Sequence, residues 1–479
     1  MKTNIILAGF FLIGLFKISA QNVNIPDINF KKYLLENSEI NTNGDNEIQI
    51  IEAEAFTGTI LCSGRNIHSM TGIETFKNIT DLYCNNNAIS VLDIESLHKL
   101  KNLFVGNNQI QKLDIQNCKD LEILYADKNK LWSLDLSNNS KLRTVNISQN
   151  LLSSISVNNL LNLRIFDCSN NDISGINLEN NENLEALNCA NNLLSGLDVA
   201  NNTILNDLNC SNNQISSLNV SQNTLLTFLL CQYNHLSTLD VSNNPYLYWF
   251  NCSNNYISSL DVSNSSSLVY LYCSYNSIQN LLTDGLSNVK DLYCDYNQIS
   301  QLDLTKALKL EKLRAYNNQI KILDLANSKQ LKWIECNNND LTSLNIKNGN
   351  NQAITQFGFE ASYNPHLTCI QVDDVAYANN MWQWRKDAGA VFTTNCSGNL
   401  NNDEAKAFNN ISFYPNPVKS TLQFSSIVSV ELYNLSGQKI LTKNQISKLD
   451  ILSLKKGVYI IVLKDSVGNI IKKDKIIKD

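Results

Sequence analysis

Seven cysteines follow one another at intervals of 21 residues in the middle of the sequence: Cys168, Cys189, Cys210, Cys231, Cys252, Cys273 and Cys294. Regularly spaced thiols can form disulfides, bind metal, or serve as small apolar side chains in a core. No C-x-x-C or histidine spacing typical of zinc accompanies them. When the 21-residue interval is continued before Cys168 and after Cys294, it meets only small or apolar residues, namely Cys84, Val105, Ala126, Ile147, Ala315 and Cys336. We therefore predict an inward-facing slot that holds free thiols, with disulfides or metal sites as the alternatives.

Oxygen-bearing side chains form a second cluster in residues 41–52, N-T-N-G-D-N-E-I-Q-I-I-E. This segment resembles the EF-hand loop, and the resemblance implies a Ca²⁺ site. Its candidate ligands are Asn41, Asn43, Asp45, Glu47 through the backbone carbonyl, and Glu52 as the bidentate carboxylate. Asn41 replaces the usual aspartate and Asn46 the usual glycine, so the expected affinity is weak. The alternative is a polar cap loop without a metal.

Aromatic side chains are concentrated between residues 228 and 333, after an earlier group at Tyr83, Phe104 and Tyr125. The later set consists of Phe228, Tyr233, Trp249, Tyr270, Tyr272, Tyr275, Tyr293, Tyr296, Tyr316 and Trp333. Rings exposed on neighbouring strands form amphipathic platforms suited to sugar rings or protein hot spots. Strand propensity is the competing explanation. The clustering favours a ligand-binding face.

Catalytic chemistry has little support in this sequence. The histidines His68, His98, His235 and His366 lie far apart, and no H-E-x-x-H, G-x-S-x-G or phosphate-loop motif is present. His235 is near Cys231 in the chain, but the slot cysteine should face the core while His235 flanks the turn. We therefore expect a protein that is not an enzyme.

The residues described above belong to copies of one repeat. Two residues before each slot stands an apolar residue such as Leu103 or Phe166, three residues after it always an asparagine, and five after it always Ile or Leu. The consensus L-x-x-L-x-C-x-x-N-x-I recurs in thirteen in-register copies and resembles the leucine-rich-repeat core motif. The resemblance covers residues 60–367 and implies a mainly β solenoid with 21-residue rungs and a parallel concave sheet.

Stacking explains the conserved spacing of the repeat. Strands of neighbouring rungs lie about 4.8 Å apart, within reach of a disulfide, but parallel side-chain directions disfavour the dihedral angle that a disulfide requires. We expect the asparagine amide to satisfy backbone groups of its own rung and of the next. Aspartates recur nine residues after the slot, as at Asp114 and Asp240. We expect their carboxylates to accept backbone N–H groups in turns. A calcium ladder is the alternative for these aspartates.

Both ends of a repeat array need caps. Residues 21–59 are the predicted N-terminal cap, where Phe30, Tyr33 and Leu34 have helical spacing. The second predicted cap covers residues 368–396. It resembles the C-terminal cap of bacterial repeat proteins in the segment N-P-H-L-T-C-I-Q-V-D-D and in the tryptophans after it. In an oxidising compartment this resemblance implies a disulfide between Cys369 and Cys396.

Two segments indicate export. In residues 1–20 a lysine precedes an apolar run that ends in Ser-Ala, which is typical of a signal peptide. After a polar linker at 397–410, the motifs F-Y-P-N-P-V, L-Y-N-L-S-G-Q-K-I and L-K-K-G-V-Y-I-I-V-L-K in residues 411–479 resemble the sorting domain of the type IX secretion system of Bacteroidetes. The spacing of its strands predicts a small antiparallel sandwich. The alternative is a fibronectin-like stalk module.

The distribution of charge agrees with separate domains. Residues 411–479 hold eleven lysines against five acids, so this segment carries +6 and the rest −12 of a total of −6. Charged residues make up 17% of the chain, which is low for a nucleic-acid or polybasic membrane binder. No segment after the signal peptide reaches eighteen apolar residues, so no membrane span is predicted.

These observations predict a secreted or cell-surface recognition or adhesion protein. Its expected partners are a protein or carbohydrate ligand on the aromatic face and the type IX secretion machinery at the C-terminal domain. The competing interpretation is a structural spacer or matrix component without a specific ligand.

Overall fold

The computed structural model describes residues 21–396, 413–435, 437–464 and 470–479. The signal peptide predicted at 1–20 and the linker predicted at 397–410 lie outside the described residues. The chain forms two units, Met1–Leu367 with Val372–Ala390, and Thr368–Gln371 with Val391–Asp479. The first unit contains the repeats, and the second contains the C-terminal sheet.

The repeats form a solenoid whose rungs contribute short strands to a parallel sheet of fifteen strands. In chain order, the strands of the repeats and caps are β1 (Thr59–Leu61), β2 (Asp81–Tyr83), β3 (Asn102–Phe104), β4 (Ile123–Tyr125), β5 (Thr144–Asn146), β6 (Ile165–Asp167), β7 (Ala186–Asn188), β8 (Asp207–Asn209), β9 (Phe228–Leu230), β10 (Trp249–Asn251), β11 (Ser259–Asp261), β12 (Tyr270–Tyr272), β13 (Asn280–Leu282), β14 (Asp291–Tyr293), β15 (Lys312–Arg314), β16 (Ile322–Asp324), β17 (Trp333–Glu335), β18 (Ser343–Asn345), β19 (Phe359–Glu360), β20 (Cys369–Gln371) and β21 (Val391–Thr393). Outside the large sheet, β11 pairs with β13, β16 with β18, and β20 with β21. The predicted solenoid with a parallel sheet is confirmed.

Each three-residue strand of the large sheet has one buried residue between two that face outward, and the last strand, β19, has two residues. In β8, Leu208 is fully buried, whereas Asp207 and Asn209 are half-buried. The registers join residues 21 positions apart, as in Asp207 opposite Phe228. One inward side chain cannot form a core, so each rung depends on its neighbours for stability.

The slot cysteines are buried and free. All eleven cysteines of the repeats are described as free thiols. Burial raises the pKa of the Cys210 thiol to about 12, so this side chain is uncharged at neutral pH and packs as a small apolar group. The structure therefore contains the ladder of free thiols that the spacing predicts.

The asparagine after each slot binds two rungs. In one copy, the Asn213 Nδ2 donates to the Cys210 carbonyl at 3.1 Å and to the Cys189 carbonyl at 3.0 Å. The Leu194 N–H donates to the Asn213 Oδ1 at 3.0 Å. Two of these partners belong to the preceding rung, so the prediction of a contact with the next rung was wrong. The spacing of the motif does not specify on which side of its own strand the amide lies.

The aspartates nine residues after the slot form turns. The Gln116 N–H donates to the Asp114 Oδ1 at 3.1 Å, and the Ser242 N–H donates to the Asp240 Oδ1 at 2.9 Å. Each carboxylate thus accepts the N–H two residues further on, which confirms the predicted turn chemistry.

A second buried column with the same period was not predicted. It contains Asn181, Asn202, Asn223 and Asn244, which are almost completely buried. The Asn202 Nδ2 donates to the Asn181 carbonyl at 2.8 Å, so these amides also connect successive rungs. Cys118 lies in this column, three steps of 21 before Asn181, which explains why it is missing from the slot series. The signal was present as asparagines at intervals of 21.

The N-terminal cap contains two helices, α1 (Ile28–Glu36) and α2 (Ile50–Ala55). Asp27 caps α1, and the helix buries Phe30, Tyr33 and Leu34, the residues selected by their helical spacing. The Leu61 N–H donates to the Tyr33 hydroxyl at 2.7 Å, which ties the helix to β1. Single 3₁₀ turns occur at Ile73–Thr75, Leu286–Asn288 and Asn351–Ala353.

The repeats end at α3 (Val375–Trp382). Trp382 stacks on Phe359 with 4.8 Å between ring centroids, and both rings are fully buried. The helix thereby removes the apolar edge of the last rung from water. Cys369 and Cys396 form a disulfide in the second unit, the pairing that the sequence implied.

The C-terminal strands form one antiparallel sheet of five members. They are β22 (Phe413–Tyr414), β23 (Thr421–Tyr433), β24 (Lys439–Asp450), β25 (Gly457–Lys464) and β26 (Ile470–Lys478). β23 pairs with β22, β24 and β25, and its pairing with β24 shifts register at several points. Such irregularities bend a strand, so the sheet curves over an apolar core that includes Val418, Val430 and Ile461.

Candidate ligand-binding face

Six aromatic side chains of consecutive rungs form a continuous surface on the large sheet, which we call the aromatic face. Its members are Phe228, Tyr248, Trp249, Tyr270, Tyr272 and Tyr293. Phe228, Trp249 and Tyr270 are the first residues of β9, β10 and β12, and the strand registers align them in one column. Since the middle residue of each strand points inward, these rings lie on the open surface of the sheet.

Ring contacts run through the whole face. Tyr248 contacts Phe228 at 6.0 Å and Tyr270 at 5.6 Å between centroids. Trp249 lies 5.1 Å from Tyr270 and 6.0 Å from Tyr272. Tyr272 lies 4.7 Å from Tyr293. Phe228 and Tyr248 remain 37% and 40% exposed, so the mutual packing of the rings leaves apolar surface open to solvent.

A second group of rings lies just after the strand ends. Tyr275 stacks on Tyr296 at 4.3 Å, and Tyr296 contacts Tyr316 at 5.3 Å. Arg314 connects this group to the aromatic face, since its guanidinium lies 5.1 Å from the Tyr293 centroid and 5.2 Å from the Tyr316 centroid. The rings predicted from the sequence are therefore largely brought together by the fold.

Two predicted site residues stand apart. Tyr233 and Trp333 make no ring contact among the residues that the structure describes, although Tyr233 is 55% exposed. Sequence reasoning also missed Tyr248 and Arg314. Tyr248 precedes β10 and therefore lies outside the alternating pattern of the strand residues.

Three of these tyrosines occupy an unusual backbone conformation. Tyr233, Tyr275 and Tyr296 have φ between 53° and 58°, in the left-handed region. Most other rungs place asparagine there, for example Asn212 and Asn254. Asparagine tolerates this conformation well, whereas a bulky side chain there is strained by about 1–3 kcal/mol. The repeat itself does not require this cost, because asparagine fills the same position in most rungs.

Two tyrosine hydroxyls on this surface, one in the aromatic face and one in the second group of rings, have raised pKa values. Burial, with the nearby Asp291 carboxylate, raises the pKa of Tyr272 to about 12. Burial and the Asp295 carboxylate raise the pKa of Tyr316 to about 12 as well, despite the neighbouring Arg314. At neutral pH these phenols therefore remain hydrogen-bond donors on an otherwise apolar surface.

A smaller stack lies on the early rungs. Tyr83 and Phe104 are 4.4 Å apart, and Phe104 and Tyr125 are 4.9 Å apart, with nearly parallel planes. Stacked rings cover one another's faces, so this group offers ring edges rather than a broad platform.

The EF-hand-like loop uses its polar groups within the cap. The Glu52 Oε1 accepts the Thr42 N–H at 2.9 Å and the Asn43 N–H at 3.2 Å, and its Oε2 accepts the Gln49 N–H at 3.0 Å. Asp45 accepts the Glu47 N–H at 2.7 Å. The Glu47 side chain forms an ion pair with Lys31 at 2.7 Å. Both carboxylates that would bind Ca²⁺ thus already accept hydrogen bonds, as in a polar cap loop.

One atom of the loop lacks a partner. The Asn41 Oδ1 is buried and accepts no hydrogen bond in the described part of the chain, although its Nδ2 donates to the Leu35 and Asp45 carbonyls. An unpaired buried acceptor at the first ligand position is compatible with a cation there. Calcium binding would require Glu52 to exchange its N–H partners for the ion, so this site stays a prediction.

Titration calorimetry tests the calcium site. We expect weak binding, with a dissociation constant on the order of 10⁻⁴ to 10⁻³ M, because only two of the ligands carry full charges. The Glu52→Gln variant should lose the heat of binding, and a Glu39→Gln variant, changed on an exposed carboxylate outside the loop positions, should keep it. Absence of heat at millimolar Ca²⁺ with the unaltered chain would remove the site.

Groups with catalytic potential are scattered through the repeats. His235 stacks on Tyr256 at 5.9 Å, while Cys231 is fully buried in the slot with a pKa raised by desolvation. In the described ranges, no three His, Cys, Asp or Glu side chains are grouped as a metal site would need. No helix among the described residues is long and apolar enough to cross a membrane.

Comparison with known proteins supports the division of the chain. Residues 412–478 match a family described as secretion system C-terminal sorting domain. No curated protein sequence matches the chain. The predicted type IX sorting domain is therefore confirmed, and the chain is secreted or attached to the outer surface.

Several solved structures share the fold. The functional domain of InlJ from Listeria monocytogenes, described as including a cysteine ladder, has a TM-score of 0.64 and 23% identity over 96% of this chain and 100% of its own. An internalin, InlF, from the same species has a TM-score of 0.58 and 22% identity over 68% of this chain and 99% of its own. A leucine-rich-repeat protein of Leptospira interrogans has a TM-score of 0.55 and 20% identity over 72% of this chain and 97% of its own. These similarities confirm the leucine-rich-repeat fold.

Proposed function

We propose that this secreted leucine-rich-repeat chain is a non-enzymatic recognition protein that binds its ligand through the aromatic face. The observation that carries the proposal is the unbroken series of ring contacts from Phe228 to Tyr293, with apolar surface left open to solvent. Tyrosine and tryptophan are enriched among the few residues that dominate the binding energy at protein interfaces, and their rings also suit stacking on sugar rings.

The strained tyrosines add independent support. A spacer would gain from asparagine at every left-handed position, because asparagine adopts that conformation at lower cost. Tyr275 and Tyr296 instead stack on each other beside the face while both remain exposed. Strain retained at an exposed ring is expected of a binding surface rather than of a purely structural one.

Truncation of two central rings tests the proposal. The Trp249→Ala, Tyr272→Ala double variant should lose at least about tenfold in affinity, because each hot-spot ring contributes about 2 kcal/mol or more. The unaltered full chain is first screened on a glycan array and on an array of synthetic peptides. The strongest hits are then titrated against the variant by calorimetry.

The matched control is the Trp132→Ala, Tyr246→Ala double variant. Both of these rings are well exposed and lie outside the aromatic face, so their removal should leave affinity unchanged. Equal affinity of both double variants for every hit would contradict a binding role of the face and favour the spacer.

A further inference from the structure

Five of the six rings of the aromatic face, all except Tyr293, lie in a segment that contains neither lysine nor arginine. Between Arg164 and Lys290, residues 165–289 hold ten acidic residues and neither lysine nor arginine. The chain elsewhere mixes both signs, and its rungs carry ion pairs such as Lys141 with Asp120 at 2.6 Å and Lys332 with Glu311 at 2.6 Å. The negative charge of the central rungs is therefore largely uncompensated by this chain, and it attracts cations.

Two carboxylates bracket the face in one column of the sheet. The register runs from Asp207 through Phe228, Trp249 and Tyr270 to Asp291. Each of these residues opens its strand, so all five side chains share the exposed side of the sheet. Three neighbouring rings thus have one acid at each end.

The acid at the early end has no side-chain partner in the part of the chain that the structure describes. Asp207 is half-buried, and its carboxylate makes neither a hydrogen bond nor an ion pair within the described residues. Desolvation raises its pKa. Asp291 is also half-buried, with Lys312 at 3.8 Å as its ion-pair partner. A partly desolvated carboxylate without a counter-ion is costly in the free protein, and a ligand cation would relieve that cost.

The chain already holds one cation in this manner. The Arg314 guanidinium lies over the Tyr293 and Tyr316 rings and donates from Nη2 to the Tyr316 hydroxyl at 2.6 Å. Its Nε also lies 3.1 Å from the Glu335 Oε2. Rings together with a carboxylate therefore bind a guanidinium at the late edge of the same surface.

We propose that the column from Asp207 to Asp291 binds a basic protein segment, with lysine or arginine side chains on its carboxylates and rings. This inference rests on the proposed function and specifies its ligand. Glycans lack the positive charge that the uncompensated Asp207 carboxylate and the aromatic faces attract, so a cationic peptide fits the column better.

The column also sets the spacing of the cations. Asp207 and Asp291 are four rungs apart, which is about 19 Å at about 4.8 Å per rung. An extended peptide advances about 3.3 Å per residue, so basic residues six positions apart reach both carboxylates from one face of the peptide. Side chains between them contact the three rings.

The experiment measures binding of labelled synthetic peptides to the full chain by fluorescence anisotropy. One peptide carries two arginines six positions apart in a glycine-serine background, and its partner carries glutamines instead. We expect the arginine peptide to bind at least about tenfold more tightly than the glutamine peptide, and the difference to shrink with added salt.

Two charge-matched variants locate the site. Asp207→Asn should lower the affinity for the arginine peptide at least about fivefold, because a local carboxylate contact is lost. Asp240→Asn removes the same charge from the same acidic segment, at an exposed turn where asparagine keeps the hydrogen bond to Ser242. The affinity of the Asp240→Asn variant for the arginine peptide should stay within about twofold of that of the unaltered chain. Equal loss in both variants would reduce the effect to long-range attraction and overturn the proposed contact.

The outcomes separate this inference from the proposed function. If only glycans bind, and the Trp249→Ala, Tyr272→Ala variant loses them, the cationic ligand is wrong and the aromatic face stands. If the arginine peptide binds equally to that variant and to the unaltered chain, the rings are not its site and the cationic ligand is wrong, whereas the proposed function fails only if every hit of the array screens also binds that variant as tightly as the unaltered chain. Thermal melting of each variant checks that it is folded.

Discussion

A chain that ends at residue 410 is expected to remain inside the cell envelope, with essentially none of it reaching the medium or the outer surface. Residues 412–478 match the sorting domain, and they form a sheet with a buried core of its own that includes Val418 and Val430. Removal of residues 411–479 therefore deletes the export signal and leaves every rung of the repeats in place. Immunoblots of the medium, outer membrane and periplasm measure the result.

A matched deletion controls for the loss of residues as such. Removal of residues 211–231 takes out one complete rung and rejoins the chain in register, because the slots recur every 21 residues. That shortened chain should still be exported. Normal export of the chain ending at residue 410 would refute the assigned role of the C-terminal domain.

Asn213→Ala is expected to cause a large loss of stability. The change removes the acceptor of the Leu194 N–H and the donor to the Cys189 and Cys210 carbonyls. Each buried group left without a partner costs about 1–3 kcal/mol in the free energy of unfolding. The melting temperature followed by circular dichroism should fall by several degrees, while ligand binding by the folded protein stays unchanged.

The control for this variant is Asn206→Ala. Asn206 is exposed directly before β8, the strand of the same rung, and only its backbone forms hydrogen bonds in the described chain. Its replacement should change the melting temperature little. Equal melting temperatures for Asn213→Ala and the unaltered chain would show that the asparagine ladder does not stabilise the solenoid.

The periodicity of the sequence was sufficient to predict the solenoid. A position such as Cys210 is apolar in every copy and Asn213 is asparagine in every copy, and the same local geometry repeated at a constant interval can only stack. Capping residues such as Phe30 were also found, because their helical spacing is a local property.

Properties that depend on neighbouring rungs were less accessible. The direction of the Asn213 amide and the column around Asn202 depend on how successive turns pack, which one repeat considered in isolation does not reveal. The candidate face shows the same limit. Exposed rings were identified one by one, but the role of Tyr248 as a bridge between Phe228 and Tyr270 and the bracketing by Asp207 depend on the lateral register.

The buried thiols have a further consequence outside the cell. A protonated thiol with a raised pKa, such as that of Cys210, is inert towards oxidants and alkylating reagents while its coil is closed. Because the thiols are distributed along the whole array, each one becomes reactive only when its own part of the array opens. The order in which they are labelled during gradual denaturation therefore records from which end the protein unravels.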